Sequence, residues 1–157
     1  MVILGPGGAG KSTFAATLAE MTRLPSVELD SLFWDPDRRP TPPEKWAAIQ
    51  EDLASKLMWI LDGDLGPYDV LEPRLRAADT IVILDFSPWR SGWRALRRSR
   101  ERLDFWRWVW TWRRAYRPLL MASIANCASG AEVHMPHTPR DLDRLAKRLT
   151  GAANSSG

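Results

Sequence analysis

A phosphate-binding loop opens this chain and restricts what can surround it. Gly5, Pro6, Gly7, Gly8, Ala9, Gly10, Lys11 and Ser12 satisfy the full pattern GxxxxGK[ST], with Thr13 following. The pattern works where a strand meets a helix, because loop amides and the positive end of the helix must face the same anion. That context is present: residues 1–4 read as a short apolar strand, and Phe14, Leu18 and Met21 share one face of a helix. Small residues at Gly5, Gly7, Gly8, Ala9 and Gly10 let backbone N–H groups wrap phosphates. Lys11 can reach the β and γ oxygens of a triphosphate, and Ser12 can ligate magnesium. ATP and Mg2+ are the expected ligands.

The chain then alternates strand and helix. Residues 26–30 read as a second strand ending on Asp30. Residues 41–57 read as a helix with Thr41 as cap, Glu44 three positions on, and Trp46, Ile49, Leu53 and Leu57 on one stripe. Residues 59–62 form a third strand ending on Asp62, and a short helical piece surrounds residues 70–78. Residues 80–85 are a fourth strand ending on Asp85, apolar as expected of a strand covered on both faces. A weaker fifth strand over 131–135 precedes a helix capped by Thr138, with Leu142, Leu145 and Leu149 aligned. This order predicts a three-layer α/β P-loop fold, a parallel five-stranded sheet with helices on both faces. At 157 residues the chain fits one domain over 1–150, with 151–157 as a disordered tail. Ligands of such a sheet gather at the carboxyl ends of its strands, where the loop, Asp30, Asp62 and Asp85 fall.

Magnesium needs a carboxylate beside Ser12. Asp62 is the first choice and Asp85 the competitor, and either could instead cap the helix that follows it. No Asn-Lys-x-Asp segment is present to read guanine. The short length also argues against a motor or transporter ATPase, which leaves a compact kinase.

The segment 87–128 is too long for an ordinary crossover and suggests an added lid. Of the 22 basic residues 18 are Arg, and ten of these lie between Arg90 and Arg117 against only Glu101 and Asp104, although the formal net charge is +3. Such a cluster suits bidentate contacts to phosphate or carboxylate. The nine Trp include Trp106, Trp108, Trp110 and Trp112 at period two, a strand signal inside a helical context. Helix is the preferred reading here, with a strand pair as the alternative. Trp34, Trp46 and Trp59 read as core.

The series GPGGAGKST, LDSLFW, WILDGD, RLRAADTIVILD and WRALRR resembles the adenylate-kinase-like P-loop proteins of the DNA topology modulation protein family, over residues 1 to about 149. The resemblance implies a nucleoside-monophosphate-kinase fold and transfer of the γ-phosphoryl group of Mg-ATP to a small acceptor, a nucleotide or nucleoside. It implies that Asp30 faces the acceptor and that Asp62 stands near magnesium. Arg94, Arg97 and Arg98 match the basic stretch entering the lid, with Arg113, Arg114 and Arg117 on its return side. Arg140 and His137 lie where such kinases contact the base. The third strand is followed by DGDLGPYD and not by the Pro-Arg that binds AMP in adenylate kinases, which counts against AMP.

Other signals exclude rather than assign. One cysteine, Cys127, forbids an internal disulfide and fits a reducing, cytoplasmic setting. His134 and His137 flank a Pro without further ligands at zinc spacing. No apolar run is long enough to span a bilayer. The Arg/Trp mixture leaves a second class open, a nucleotide-dependent nucleic-acid-binding protein, and a monomer or homodimer is expected.

Overall fold

The computed structural model describes residues 1–37, 39–85 and 111–155. Five short strands form one parallel sheet: β1 (Val2–Leu4), β2 (Ser26–Glu28), β3 (Ile60–Asp62), β4 (Thr80–Ile83) and β5 (Glu132–His134), in the order β2-β3-β1-β4-β5. All four pairings are parallel, and Val2 lies level with Leu61 on one side and Ile81 on the other. The phosphate loop therefore leaves the central strand. Helix α1 (Lys11–Thr22) follows the loop, and α2 (Leu29–Phe33), α3 (Pro43–Ala54), α4 (Glu72–Ala77), α5 (Arg117–Cys127) and α6 (Pro139–Ser155) are the other described α-helices.

The two-residue period of the strands sorts the core into two layers. Val2, Leu4, Leu61, Ile81 and Ile83 pack on one face with Phe33, Trp46, Leu75, Trp112, Leu120 and Ile124. Ile3, Ile60, Val82 and Leu84 pack on the other with Phe14, Ala15 and Leu18 of α1 and Leu145 and Ala146 of α6. Nearly every strand residue of β1, β3 and β4 is buried, so apolar runs without alternation read correctly as strands sandwiched between helices. This is the three-layer, five-stranded α/β architecture expected from the sequence.

Several boundaries differ from the sequence reading. β2 ends at Glu28, and Asp30 sits in the first turn of α2, because Leu29 and Phe33 are four apart and fill one core face. Thr41 does not cap α3: its hydroxyl donates to the Phe33 carbonyl at 2.6 Å, and Pro42 takes the cap position with Pro43 in the first turn. α3 stops at Ala54, which leaves Leu57 at 96% exposure, off the expected stripe. Met21 and Trp34 are exposed where core positions were expected, at 47% and 42%. Helix α6 continues to Ser155, so 151–155 are helical and not a structureless tail. Its cap follows the sequence reading, with the Asp141 amide donating to Thr138 Oγ1 and the Thr138 amide and hydroxyl donating back to Asp141 Oδ2.

The second half of the expected lid is part of the core. A π turn (Trp112–Tyr116) runs into α5, which packs on α4 and buries Leu120 and Ile124. α5 leads from that turn to β5, and Trp112 is 1% exposed. The stretch 86–110, with Arg94, Arg97, Arg98 and Trp106 to Trp110, lies outside the described residues, as does the side chain of Arg113.

Candidate active site

The phosphate loop is built for close approach. Gly5 has φ 140°, and a Cβ there would stand 2.7 Å from the carbonyl oxygen of Leu84, the residue after β4. Gly8 and Gly10 adopt positive φ as well, backbone that favours glycine. Gly5→Ala is expected to destabilise the fold by about 1–3 kcal/mol from backbone strain and to lower the melting temperature visibly in calorimetry. An unchanged melting temperature would contradict this loop geometry. Lys11, nearly buried, folds back to donate to the Gly5 and Pro6 carbonyls at 2.9 and 3.4 Å.

Parallel register brings the carboxylates to Ser12. Glu28 lies level with Asp62, and Asp62 with Ile3. Ile3 packs in the layer that holds α1, and residues level across a parallel sheet share a face. Ser12, in the first turn of α1, donates to Glu28 Oε1 at 3.3 Å and also contacts the Asp62 carboxyl. Asp62 is buried, and its Oδ1 has no hydrogen-bond partner. A buried acceptor left unsatisfied is costly, and a hard cation held between Ser12 and Asp62 would satisfy it. The residues present thus fit magnesium. Asp85, the competitor, forms an ion pair with the Arg117 guanidinium at 3.1 Å. Arg117 is thereby placed beside the end of β4.

Asp30 and Asp64 also lie within electrostatic reach of Lys11. Burial raises the pKa of Asp30, Asp62 and Asp64 above the ordinary value of 3.8, while Lys11 pulls each of them down. A carboxyl whose folded pKa is raised destabilises the fold when ionised, and stability recovers as pH falls through the folded value. Asp69 does the reverse: Arg74 holds it low, and its contribution is lost only below the ordinary carboxylate range. The melting temperature is therefore expected to rise from neutral to mildly acid pH and to fall below about pH 4. Saturating magnesium should flatten the rise. A monotonic decline from pH 7 would contradict it.

Sequence reasoning missed Asp64 and the residues around it. Asp64 accepts from the Gly5 amide at 3.2 Å, the Gly66 amide at 3.1 Å and the Trp112 indole at 3.0 Å, tying the phosphate loop to the π turn. Behind it lies a fully buried ion pair. Arg74 donates to both Asp69 oxygens at 2.9 and 2.6 Å, to the Gly63 carbonyl at 3.2 Å and to Gln50, and Asp69 also accepts from Trp46 Nε1 at 3.1 Å. A signal existed: Leu71, Arg74 and Leu75 share the helical spacing of a core stripe, as do Trp46 and Gln50. Of the other expected site residues, Thr13 and Arg140 are exposed, Arg140 at the start of α6 after the edge strand β5.

No protein-family model matches the sequence, and no curated protein does. Solved structures do match. The YorR protein from Bacillus subtilis, in complex with phosphorylated GDP, superposes with a TM-score of 0.67 at 18% identity, over 98% of this chain and 94% of that one. A shikimate kinase from Bacteroides thetaiotaomicron gives 0.58 at 13% identity, over 98% and 96%. A gluconokinase from Sinorhizobium meliloti 1021 gives 0.54 at 18% identity, over 96% and 95%. The fold is that of the P-loop kinases. Among the described residues no helix is long and apolar enough to cross a membrane.

Proposed function

We propose that this chain is a P-loop kinase that transfers the γ-phosphoryl group of Mg-ATP to a small hydroxylated acceptor. The observation that carries the reading is the convergence of Lys11, Ser12, Glu28, Asp30 and Asp62 at the loop, with a buried Asp62 oxygen lacking a partner. Phosphoryl transfer asks a protein mainly for positioning and charge compensation. The loop amides and Lys11 would hold the β and γ phosphates, and Ser12 with Asp62, supported by Glu28, would hold magnesium. Bound there, the cation neutralises charge on the phosphate oxygens. Asp30, at the acceptor side of Lys11, would orient the hydroxyl that attacks.

The same function involves residues outside the described set. Arg94, Arg97, Arg98 and Arg113 would close over the triphosphate, and exclusion of water would limit idle hydrolysis. Arg117 and Arg140 would support the nucleotide side. The resemblance to DNA topology modulation proteins belongs to the same reading, as does the nucleotide or nucleoside acceptor. The test is ADP release as magnesium is titrated, with and without a panel of hydroxylated acceptors. Acceptor-dependent, magnesium-dependent release is expected. Release indifferent to every acceptor would contradict the proposal and favour a nucleotide-gated binding protein.

A further inference from the structure

The carboxyl ends of β2 and β3 form the wall on which an acceptor would rest, and its chemistry is unlike that of an anion site. Asp30 brings a carboxylate to this wall, with Glu28 beside it on the Ser12 side, and Asp64 lies buried behind it, bound to the Gly5 and Gly66 amides and the Trp112 indole. Arg74, the guanidinium beneath it, is fully buried and bound to Asp69, Gln50 and the Gly63 carbonyl. Arg39, in the loop after α2, stands 3.7 Å from Asp37 in an exposed pair of the weak surface kind. Among the described residues Arg74 is thus turned away from the wall, Arg39 remains open to solvent, and Lys11 belongs to the phosphate loop.

The same wall carries an aromatic pair that packing in the core does not explain. Trp34 and Tyr68 are 42% and 60% exposed, with ring centroids 6.3 Å apart at 68°. Trp34 stands edge-on to Phe33 at 4.9 Å, and Phe33 to Trp46 at 5.1 Å, so this open corner is anchored to the buried layer. Trp34 follows Asp30 by one helical turn, and Tyr68 is the neighbour of Asp69, whose charge reaches Asp30. An open aromatic corner beside a carboxylate suits a ring with an apolar face and hydroxyls at its edge.

We propose that the acceptor is an uncharged hydroxylated ring compound, of the nucleoside or sugar type, with its ring face on Trp34 and Tyr68 and a hydroxyl on Asp30. This rests on the kinase reading above and narrows it to neutral acceptors. A phosphate or carboxylate on the acceptor would meet like charge on the wall, which disfavours the wrong partner. The transfer itself breaks the bond between the γ phosphorus and the β–γ bridging oxygen, forms one to the acceptor oxygen, and leaves ADP and the acceptor's proton.

The test pairs each neutral acceptor with its anionic counterpart: nucleosides against their 5′-monophosphates, aldoses against their aldonic acids. Product is followed by mass spectrometry on the full chain. The neutral member is expected to show a kcat/KM about tenfold or more above its partner, the scale on which like-charge placement discriminates. Trp34→Ala and Tyr68→Ala should each raise the acceptor KM about five- to tenfold, as loss of stacking does, and leave the KM for ATP within about twofold. Nucleosides and aldoses in separate arms identify which ring is taken. Preference for the anionic members, or acceptor KM values untouched in both folded variants, overturns the inference and leaves the kinase reading standing. Failure of every acceptor to yield product overturns both.

Discussion

Asp69→Ala is expected to cost about 3–5 kcal/mol of folding stability, the scale for breaking a buried ion pair by removing one partner. Asp69 and Arg74 have no exposed side-chain surface, and they meet at 2.6 Å. Without Asp69 the guanidinium keeps Gln50 and the Gly63 carbonyl but loses its counter-charge, while the Trp46 indole and the Leu65 amide lose their acceptor. Several partners are disturbed at once, on the loop that also positions Asp64. A domain of this size is stable by only about 5–15 kcal/mol, so the variant should melt far below the parent in chemical denaturation. Asp69→Asn keeps the shape and some hydrogen bonds and should lose less. A double variant, Asp69→Leu with Arg74→Met, should recover part of the loss, since an apolar pair of similar volume often replaces a buried ion pair without penalty. If Asp69→Ala folded with parental stability, this network would not be what holds the loop after β3.

Lys11→Ala carries the largest expected effect on activity. Loss of one preorganised donor to transferring charge lowers kcat by about 10²–10³, and Lys11 is the cation set inside the loop. Its removal should reduce kcat and kcat/KM together, the pattern of an interaction made in the transition state. Stability should change little at mildly acid pH. At neutral pH it should fall, because burial raises the pKa of Asp30, Asp62 and Asp64 and Lys11 is the nearby cation that offsets it, beside the Ser12 hydrogen bond at Asp62 and the Gly66 and Trp112 bonds at Asp64. Activity within about threefold of the parent, judged against that catalytic scale, would remove Lys11 from the chemistry.

Elements with a strong local signature are legible in the sequence alone. The loop pattern, the apolar strands and the Thr138 cap each reflect physics within a few residues of chain, and the sheet follows from their alternation. What is not legible depends on contacts far apart in sequence. Glu28 reaches Ser12 because β2 and β3 are level at Glu28 and Asp62, a register set by pairing across more than thirty residues. Ser26 to Asp30 alternates as well as a strand should, and only the burial of Leu29 and Phe33 makes its last two residues helix. Arg74 looks like a surface charge on a short helix, yet its partners come from α3 and the loop after β3. Trp112 looks like part of a lid and is core, because its indole finds Asp64 across the fold.

The central claim is transfer of a phosphoryl group at this loop, and it is tested most directly by following γ-labelled ATP into product. Parent and Lys11→Ala proteins would be incubated with magnesium and the neutral acceptors, and labelled compounds separated. The account predicts label covalently attached to an acceptor with the parent and about 10²-fold less or none with the variant. Label appearing only as inorganic phosphate, at equal rates in both proteins, would contradict it.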